Sequence, residues 1–131
     1  MPARDGDIYR LLLSSTGKLI EVECVVSPIK LAKGLSGRES LKKGTGMLFI
    51  FDEIKKQSMW MPDMKFPLDV IWLDETLSVV HISYALQPCA DRRACPSTDS
   101  VYACKYAIEM NAGDAAIYGF MNGTQLTVSA V

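Results

Sequence analysis

Two cysteines lie six positions apart in a polar stretch of the chain, at Cys89 and Cys95. Pro88 and Pro96 flank them, so the stretch is expected to be a loop that can bring both sulfurs within bonding reach. A disulfide in so short a loop would stabilise the fold by only about 2 kcal/mol and would chiefly rigidify the loop. We favour this disulfide, with free thiols or a metal-binding pair as alternatives. The five intervening residues do not match the spacing of a zinc knuckle.

The other two cysteines, Cys24 and Cys104, fall in phase with apolar residues of predicted strands. A buried free cysteine packs as a small hydrophobic residue, so we interpret both as core residues. A cysteine nucleophile would need a histidine nearby, and the single histidine, His81, is predicted on the more polar face of its strand. We therefore predict no catalytic residue and favour a protein that is not an enzyme.

Three methionines, Met59, Met61 and Met64, surround Trp60. Thioether sulfur is a ligand that copper(I) accepts, so a soft-metal site is one interpretation. Met59 and Met61 share a face of the predicted strand, however, and methionine is an adaptable core residue. We favour the core interpretation, and we predict neither a metal nor a cofactor.

Short segments with period-two alternation predict most of the elements that must position these residues. The predicted strands are Ile8 to Ser14, Lys18 to Val26, Met47 to Phe51, Ser58 to Met61, Asp69 to Leu73, Ser78 to Leu86, Tyr102 to Met110 and Gln125 to Ala130. The unbroken apolar run 47–51 is typical of a strand covered on both faces. In the strand that ends at Leu86, the alternation predicts one common face for Val80, Ile82, Tyr84 and Leu86.

Only two short helices are predicted. Ser27 and Pro28 are suited to begin the first, and Gly34 to end it. Asp114 is suited to cap the second, and Asn122-Gly123 is a strong signal for a type I′ hairpin before the last strand. Because a doubly wound α/β fold needs regular crossover helices, we predict an antiparallel β-sandwich or barrel with one or two short helices.

The length of 131 residues predicts one domain over residues 1–131, and 49% hydrophobic and 22% charged residues are an ordinary balance for a folded, soluble protein. The net charge of −1 gives no global attraction to nucleic acid or to anionic lipid, so we predict neither as a partner. One local basic excess is interpreted as a solvated face, with an anion or acidic partner as the alternative. It comprises Lys30, Lys33, Arg38, Lys42 and Lys43, opposed by Glu39.

The N-terminal segment carries Asp5 and Asp7 where a signal peptide would be basic, and its apolar run is interrupted by Arg10. No apolar stretch reaches the length of about 18 residues that suggests a membrane span. We therefore expect synthesis in the cytoplasm without export.

Five ordered blocks carry a family resemblance. They are Gly34-Leu35-Ser36-Gly37-Arg38, Gly46-Met47-Leu48-Phe49-Ile50-Phe51, Trp60-Met61 followed by Pro67-Leu68-Asp69, Pro88-Cys89 to Cys95-Pro96, and Glu109-Met110-Asn111-Ala112-Gly113. In this order the chain closely resembles Domain of Unknown Function 192, from about Lys18 to Val128. Each block alone would be weak, but five in order are specific.

The resemblance implies a jelly-roll-like β fold and implies no known reaction. This sequence departs from the family pattern at three points. The export signal that members often carry is missing, Ser36 stands where Met is common, and Pro62-Asp63-Met64 stands where Lys-Asn-Thr is usual. A neutral amide has thus become a carboxylate, so a ligand of the family at this place is not expected to carry over unchanged.

The polar and aromatic members of these blocks are Arg38, Trp60, Asp63 and Asp69. Together they could line a pocket in which arginine pairs with a carboxylate and tryptophan offers a stacking wall. The alternative is a structural Arg–Asp pair that pins the loops. Two carboxylates around one turn could also act as an acid and base on a glycoside, if their separation allowed it.

The absence of a nucleophile–base set favours a non-catalytic binding or assembly module, whose partners would be other protein subunits. A structural subunit of a virion or phage tail, made in the cytoplasm and oxidised after release, would reconcile an unexported chain with a disulfide loop. The alternative hypothesis is a domain that binds or hydrolyses a small carbohydrate at Arg38, Trp60, Asp63 and Asp69.

Overall fold

The computed structural model describes residues 2–129 and consists mainly of β-strands. Its strands are β1 (Ile8–Leu13), β2 (Leu19–Val25), β3 (Thr45–Trp60), β4 (Leu68–Leu73), β5 (Val79–Leu86), β6 (Ser97–Asn111) and β7 (Leu126–Ser129). Helices α1 (Pro28–Lys33) and α2 (Asp114–Ile117) and a 3-10 turn (Arg92–Ala94) are short. The predicted β class with two brief helices is confirmed.

All seven strands belong to one sheet in the order β5-β4-β6-β3-β2-β1-β7. The two edge strands approach each other where β5 begins and β7 begins. There the Val79 amide donates to the Thr124 carbonyl at 2.9 Å, and the Leu126 amide donates to the Leu77 carbonyl at 2.9 Å. The expected sandwich or barrel therefore takes the form of one curled sheet that is joined at one end.

The pairings are antiparallel except for β2 and β3, which run parallel. The long connection between them contains α1, and a connection of that length is what a parallel pair requires. Helix α1 begins as predicted, because the Ser27 side chain accepts from the Lys30 amide and Pro28 is the first helical residue. Gly34 ends it at φ 51°.

Two apolar clusters lie on opposite faces of the central strands. The inner cluster contains Leu48 and Ile108, together with residues from every other strand. The second cluster contains Met47, Phe49 and Trp72, and it is covered by α1 and by the segments that follow α1 and β3. Run 47–51 is accordingly buried on both faces, except for a half-buried Phe51.

The neighbouring strands β3 and β6 approach each other closely at Gly46. A side chain added there would place a Cβ atom 2.7 Å from the Glu109 carbonyl oxygen and 2.9 Å from Cγ2 of Ile108. Only glycine permits this approach of the two central strands.

The separate strand predicted at Ser58 to Met61 is wrong. Its residues through Trp60 belong to β3, which continues past an irregularity in which residues 51–54 stand opposite Lys105 alone. The Lys105 ammonium donates to the Phe51 carbonyl at 2.6 Å and so satisfies the bulged backbone. A bulge thus keeps β3 paired with β6 where the apolar alternation is lost.

The predicted common face of β5 is also wrong, because Tyr84 is exposed and Ser83 is buried. A bulge places Tyr84 and Ala85 opposite the single residue Asp69, and Ala85 has a φ of 50°. An extra residue in one strand reverses the alternation beyond it. Ser83 instead accepts a hydrogen bond of 3.1 Å from the Trp72 indole.

Two predictions near the end of the chain are corrected as well. Gly113 occupies the cap position of α2, and Asp114 is its first helical residue. Residues Asn122 and Gly123 form a turn in which only Gly123 has a positive φ, whereas a type I′ hairpin requires both. The last strand, β7, pairs with β1. Ala130 lies outside the described residues.

No helix among residues 2–129 is long and apolar enough to cross a membrane.

Candidate functional site

A cleft of about 720 Å³ opens over the second apolar cluster. One wall is the end of α1 and the loop behind it, residues 31–37, and the other is the end of β3 and the segment 62–64. The Gly37 amide donates to the Asp63 carbonyl at 2.9 Å and so joins the two walls. The chain thereby builds a concave site from two loops held on a rigid sheet.

Trp60 stands at this cleft with 47% of its surface exposed. The Arg92 guanidinium carbon lies 5.2 Å from the centre of its ring, within the range of a cation–π contact. Arg92 also forms an ion pair with the Asp63 carboxylate, and both side chains are largely exposed. Trp60, Asp63 and Arg92 therefore form one polar and aromatic group at the rim.

The loop that carries Arg92 is fixed to this rim. Cys89 and Cys95 are joined by a disulfide, with their Cα atoms 5.4 Å apart. The Cys89 amide donates to the Met61 carbonyl at 3.3 Å, next to an isolated bridge between Pro62 and Cys89. The disulfide loop is thus a structural support for the arginine that faces Trp60.

Arg38 and Asp69 lie outside this cleft. Arg38 lines a smaller neighbouring depression and pairs with Glu23 at 3.2 Å. Asp69 is 1% exposed, and its two oxygens accept from the amides of Ala85, Gly113 and Ala115 at 2.9 to 3.1 Å. The predicted four-residue pocket is not assembled, because Asp69 serves to hold the backbone around β4.

The proposed acid and base pair of Asp63 and Asp69 is also not supported by this arrangement. Asp69 has no access to the cleft, since it is buried and bonded to three amides. The structural Arg–Asp pair that was the alternative does exist at Asp63, but its arginine is Arg92 rather than Arg38.

The floor of the cleft holds a residue that the sequence analysis did not select, Glu109 of β6. Its side chain is 5% exposed, and its Oε1 atom has no hydrogen-bond partner among the described residues. Burial raises the pKa of this carboxyl to about 8. A carboxylic acid that remains protonated near neutral pH is therefore present at the floor.

The sequence does contain a signal for Glu109. It interrupts a run of strand residues that is otherwise apolar on both sides, Tyr106-Ala107-Ile108 before it and Met110 after it. A carboxylate inside such a run must either find a partner or take up a proton. Arg92 carried no comparable signal, because it is one of several polar residues in a loop.

The remaining candidate residues belong to the core. Met61 is buried in the second cluster, and Met59 and Met64 pack against it while lining the cleft. Cys24 and Cys104 are buried and form no disulfide within the described residues. Burial raises the pKa of the Cys24 thiol to about 11, with the charges of Asp7 and Glu23 adding to the effect. Nowhere in residues 2–129 do three or more His, Cys, Asp or Glu side chains gather as a metal site would require.

Solved structures share this fold over almost their whole length. One, from Sinorhizobium meliloti 1021, is described with a proposed role as a transcription regulator. It is 27% identical to this chain and has a TM-score of 0.83, and the match covers 96% of this chain and 97% of that chain. Another, a protein of unknown function from Novosphingobium aromaticivorans DSM 12444, is 22% identical, with 97% and 89% covered and a TM-score of 0.82.

Comparison with curated proteins gives no match. The pattern of the DUF192 family, described as Uncharacterized ACR, matches residues 11–128. Since that match spans nearly all of the sequence and agrees with the five blocks noted above, the chain belongs to the DUF192 family.

Proposed function

We propose that this protein binds a small polyhydroxylated molecule of the carbohydrate class in the cleft between residues 31–37 and 62–64. The observation that carries the proposal is that the cleft is lined both by a half-exposed Trp60 and by Glu109, whose buried Oε1 atom has no hydrogen-bond partner among the described residues. A buried polar atom without a partner costs free energy, and a ligand that supplies the hydrogen bond removes that cost.

The size and lining of the cleft support a small ligand. Its volume of about 720 Å³ lies within the usual range of roughly 300–1,000 Å³ for small-molecule sites. Phe49, Met59 and Met64 supply apolar surface. The polar residues of the lining are Lys33, Ser36, Ser58, Asp63, Arg92 and Glu109. The indole face that Arg92 does not cover can stack on a sugar ring, and Asp63 and Arg92 can form hydrogen bonds with its hydroxyl groups.

Binding is tested by titrating ¹⁵N-labelled protein with a panel of monosaccharides and following the two tryptophan indole signals by NMR. The Trp60 signal is expected to move with saturation. The Trp72 signal is expected to stay, because that indole is fully buried and bonded to Ser83.

The matched variants are Trp60→Ala and Tyr102→Ala. Because the first variant lacks the Trp60 signal, isothermal titration calorimetry measures the affinity of both. Both remove an exposed aromatic ring, but Tyr102 is not part of the cleft. We expect Trp60→Ala to weaken binding at least tenfold and Tyr102→Ala to leave it within about twofold. Equal effects of the two variants would refute the cleft as the binding site.

A non-catalytic binding function agrees with the first hypothesis from the sequence, whereas the virion or phage-tail assembly function stays a prediction. The absence of nucleic acid among the partners also stays a prediction. The role proposed for the Sinorhizobium meliloti protein is not extended to this chain. Among the described residues, Lys33 and Arg92 are the cations that line the cleft, and Arg92 is already paired with Asp63.

A further inference from the structure

We propose that the cleft selects ligands that carry a primary ammonium group, such as amino sugars, and that Glu109 is the residue that binds this group. The inference rests on the proposed function, because it concerns the same cleft. It names the charge of the ligand and the atom that recognises it.

The first step of the argument is that Glu109 needs a donor that the protein does not supply. Its Oε1 atom is buried and has no hydrogen-bond partner among the described residues, although the side chain lines the cleft. The Gly34 backbone passes so close that an added Cβ would lie 3.4 Å from this oxygen, yet the Gly34 amide donates to the Lys30 carbonyl instead. A ligand in the cleft can supply this donor.

The second step concerns the charges that face Glu109. Its neighbours across the sheet are uncharged, Met47 on β3 and Val70 on β4. The cleft walls contribute three charged groups, Lys33 on α1, Asp63 beyond β3 and Arg92 on the disulfide loop. Arg92 is neutralised by Asp63, and the pKa of Glu109 is raised by burial alone, with no charged neighbour contributing. The charge at the floor is therefore decided by Glu109 itself.

The third step compares two magnitudes. With a pKa of about 8, ionising Glu109 at pH 7 reduces an affinity by only about tenfold. An ammonium group then gains a charge-assisted hydrogen bond, roughly twice as strong as a neutral one, in a site of low dielectric constant. We expect this gain to exceed the tenfold cost, so that an ammonium group binds better than a hydroxyl group at the same place, whereas a carboxylate gains no such bond from Glu109.

The fourth step is a consequence for protons. An ammonium ligand binds the ionised form of Glu109. In the free protein this carboxyl is protonated below pH 8. Binding must then release about one proton per ligand at pH 6.5, and the affinity must rise with pH toward 8. A neutral sugar that uses only hydroxyl groups requires no such release.

The experiment uses glucose, glucuronate and the 2-, 3- and 6-amino-deoxy derivatives of glucose as probes. At pH 6.5 the amines are cations. Isothermal titration calorimetry in two buffers of different ionisation enthalpy measures both affinity and proton release. We expect at least one amino derivative to bind tenfold or more tightly than glucose and to release about one proton. We expect glucuronate to show neither the gain in affinity nor the proton release.

The variants are Glu109→Gln and, as a control outside the cleft, Glu53→Gln. Glutamine is neutral and of the same shape, so the fold is expected to survive; thermal unfolding checks this. Glu109→Gln should reduce the preference for the amine to within about threefold of glucose and abolish proton release, and Glu53→Gln should change neither.

The outcomes separate the two proposals. If glucose moves the Trp60 signal but no amine binds better, or if the preference survives Glu109→Gln, this inference is wrong and the carbohydrate cleft stands. If none of the five probes moves the Trp60 signal, the proposed function falls and the inference falls with it.

Discussion

Two buried carboxylates of this protein have opposite surroundings, and single residues explain the difference. The Asp69 carboxylate accepts hydrogen bonds from three backbone amides, whereas one buried oxygen of Glu109 has no partner within residues 2–129. The first arrangement holds the fold together. The second destabilises the charged form of the residue and is the kind of arrangement that functional sites contain.

Replacing Asp69 by Asn is expected to destabilise the protein by about 3 kcal/mol. The amide group of asparagine can accept at only one atom, so at least one of the three backbone donors from Ala85, Gly113 and Ala115 loses its partner. Urea unfolding monitored by circular dichroism measures the change. Asp52→Asn, on the exposed bulge of β3, should lie within about 0.5 kcal/mol of the wild type.

The free energy of unfolding of the wild type is expected to include a contribution from Glu109 that falls as the pH rises from about 4.5 to about 8. The pKa of Glu109 is near 4.5 when unfolded and about 8 when folded, so the folded state binds more protons between these values and loses stability with rising pH. The loss approaches roughly 5 kcal/mol at about 1.4 kcal/mol per pH unit.

Urea unfolding of the wild type and Glu109→Gln at pH 5 and pH 8.5 measures this contribution. The variant should lack it, so the difference in stability between the two proteins should grow with pH in favour of the variant. Parallel pH profiles would show that Glu109 does not titrate as its burial implies.

At the scale of elements, the cleft depends on connections rather than on strands. The end of β3, the segment 62–64 and the disulfide loop are joined by the Pro62–Cys89 bridge, and α1 with its following loop closes the other side. These segments are irregular, but the bulged pair of β3 and β6 anchors one of the walls on the central sheet. Loops on a rigid scaffold are a common place for binding sites.

Replacing both Cys89 and Cys95 by Ser is expected to cost about 2 kcal/mol, the chain-entropy value for so short a loop. It should also loosen Arg92 over Trp60 and so change the tryptophan fluorescence. Denaturant unfolding and fluorescence measure the two effects.

A reducing agent supplies the control for this pair. It should bring the wild type to the stability of the double variant and leave the double variant unchanged. A wild type whose fluorescence does not respond to reduction would contradict the supporting role of the loop.

At the scale of the molecule, the curled sheet is held together by its last strand, which contacts both the first strand and the segment before β5. Strand β7 pairs with β1, and the Leu126 amide bonds to the Leu77 carbonyl beside β5. Leu126 itself is buried in the inner cluster together with residues from all other strands. Most of the fold is thus formed by contacts between distant parts of the sequence, which predicts slow folding for a chain of this size.

Replacing Leu126 by Ala is expected to destabilise the whole protein by about 3 kcal/mol, because it removes a fully buried side chain from the shared cluster. Far-ultraviolet circular dichroism and tryptophan fluorescence should show the same lowered midpoint, as one cooperative unit requires. Val128→Ala, at a position of the same strand that is 42% exposed, should change the midpoint much less. Separate midpoints for the two probes would show that β7 melts independently.

The sequence alone determined the local features: the β class, helix α1 with its Ser27 cap, the burial of the run 47–51, and the cysteine pair in one loop. Alternation, caps and turns depend on neighbours in the chain, so they are visible without the fold. The five blocks also identified the family.

Only the tertiary structure decided the bulges, the union of two predicted strands into β3, and the composition of the site. It separated Asp69 and Arg38 from Trp60 and Asp63, and it added Arg92 and Glu109. Burial and partnership at these positions depend on residues distant in sequence, and one extra residue in a strand reverses which side chains face the core. For that reason the carboxyl that makes the cleft a candidate site became recognisable only once its surroundings were known.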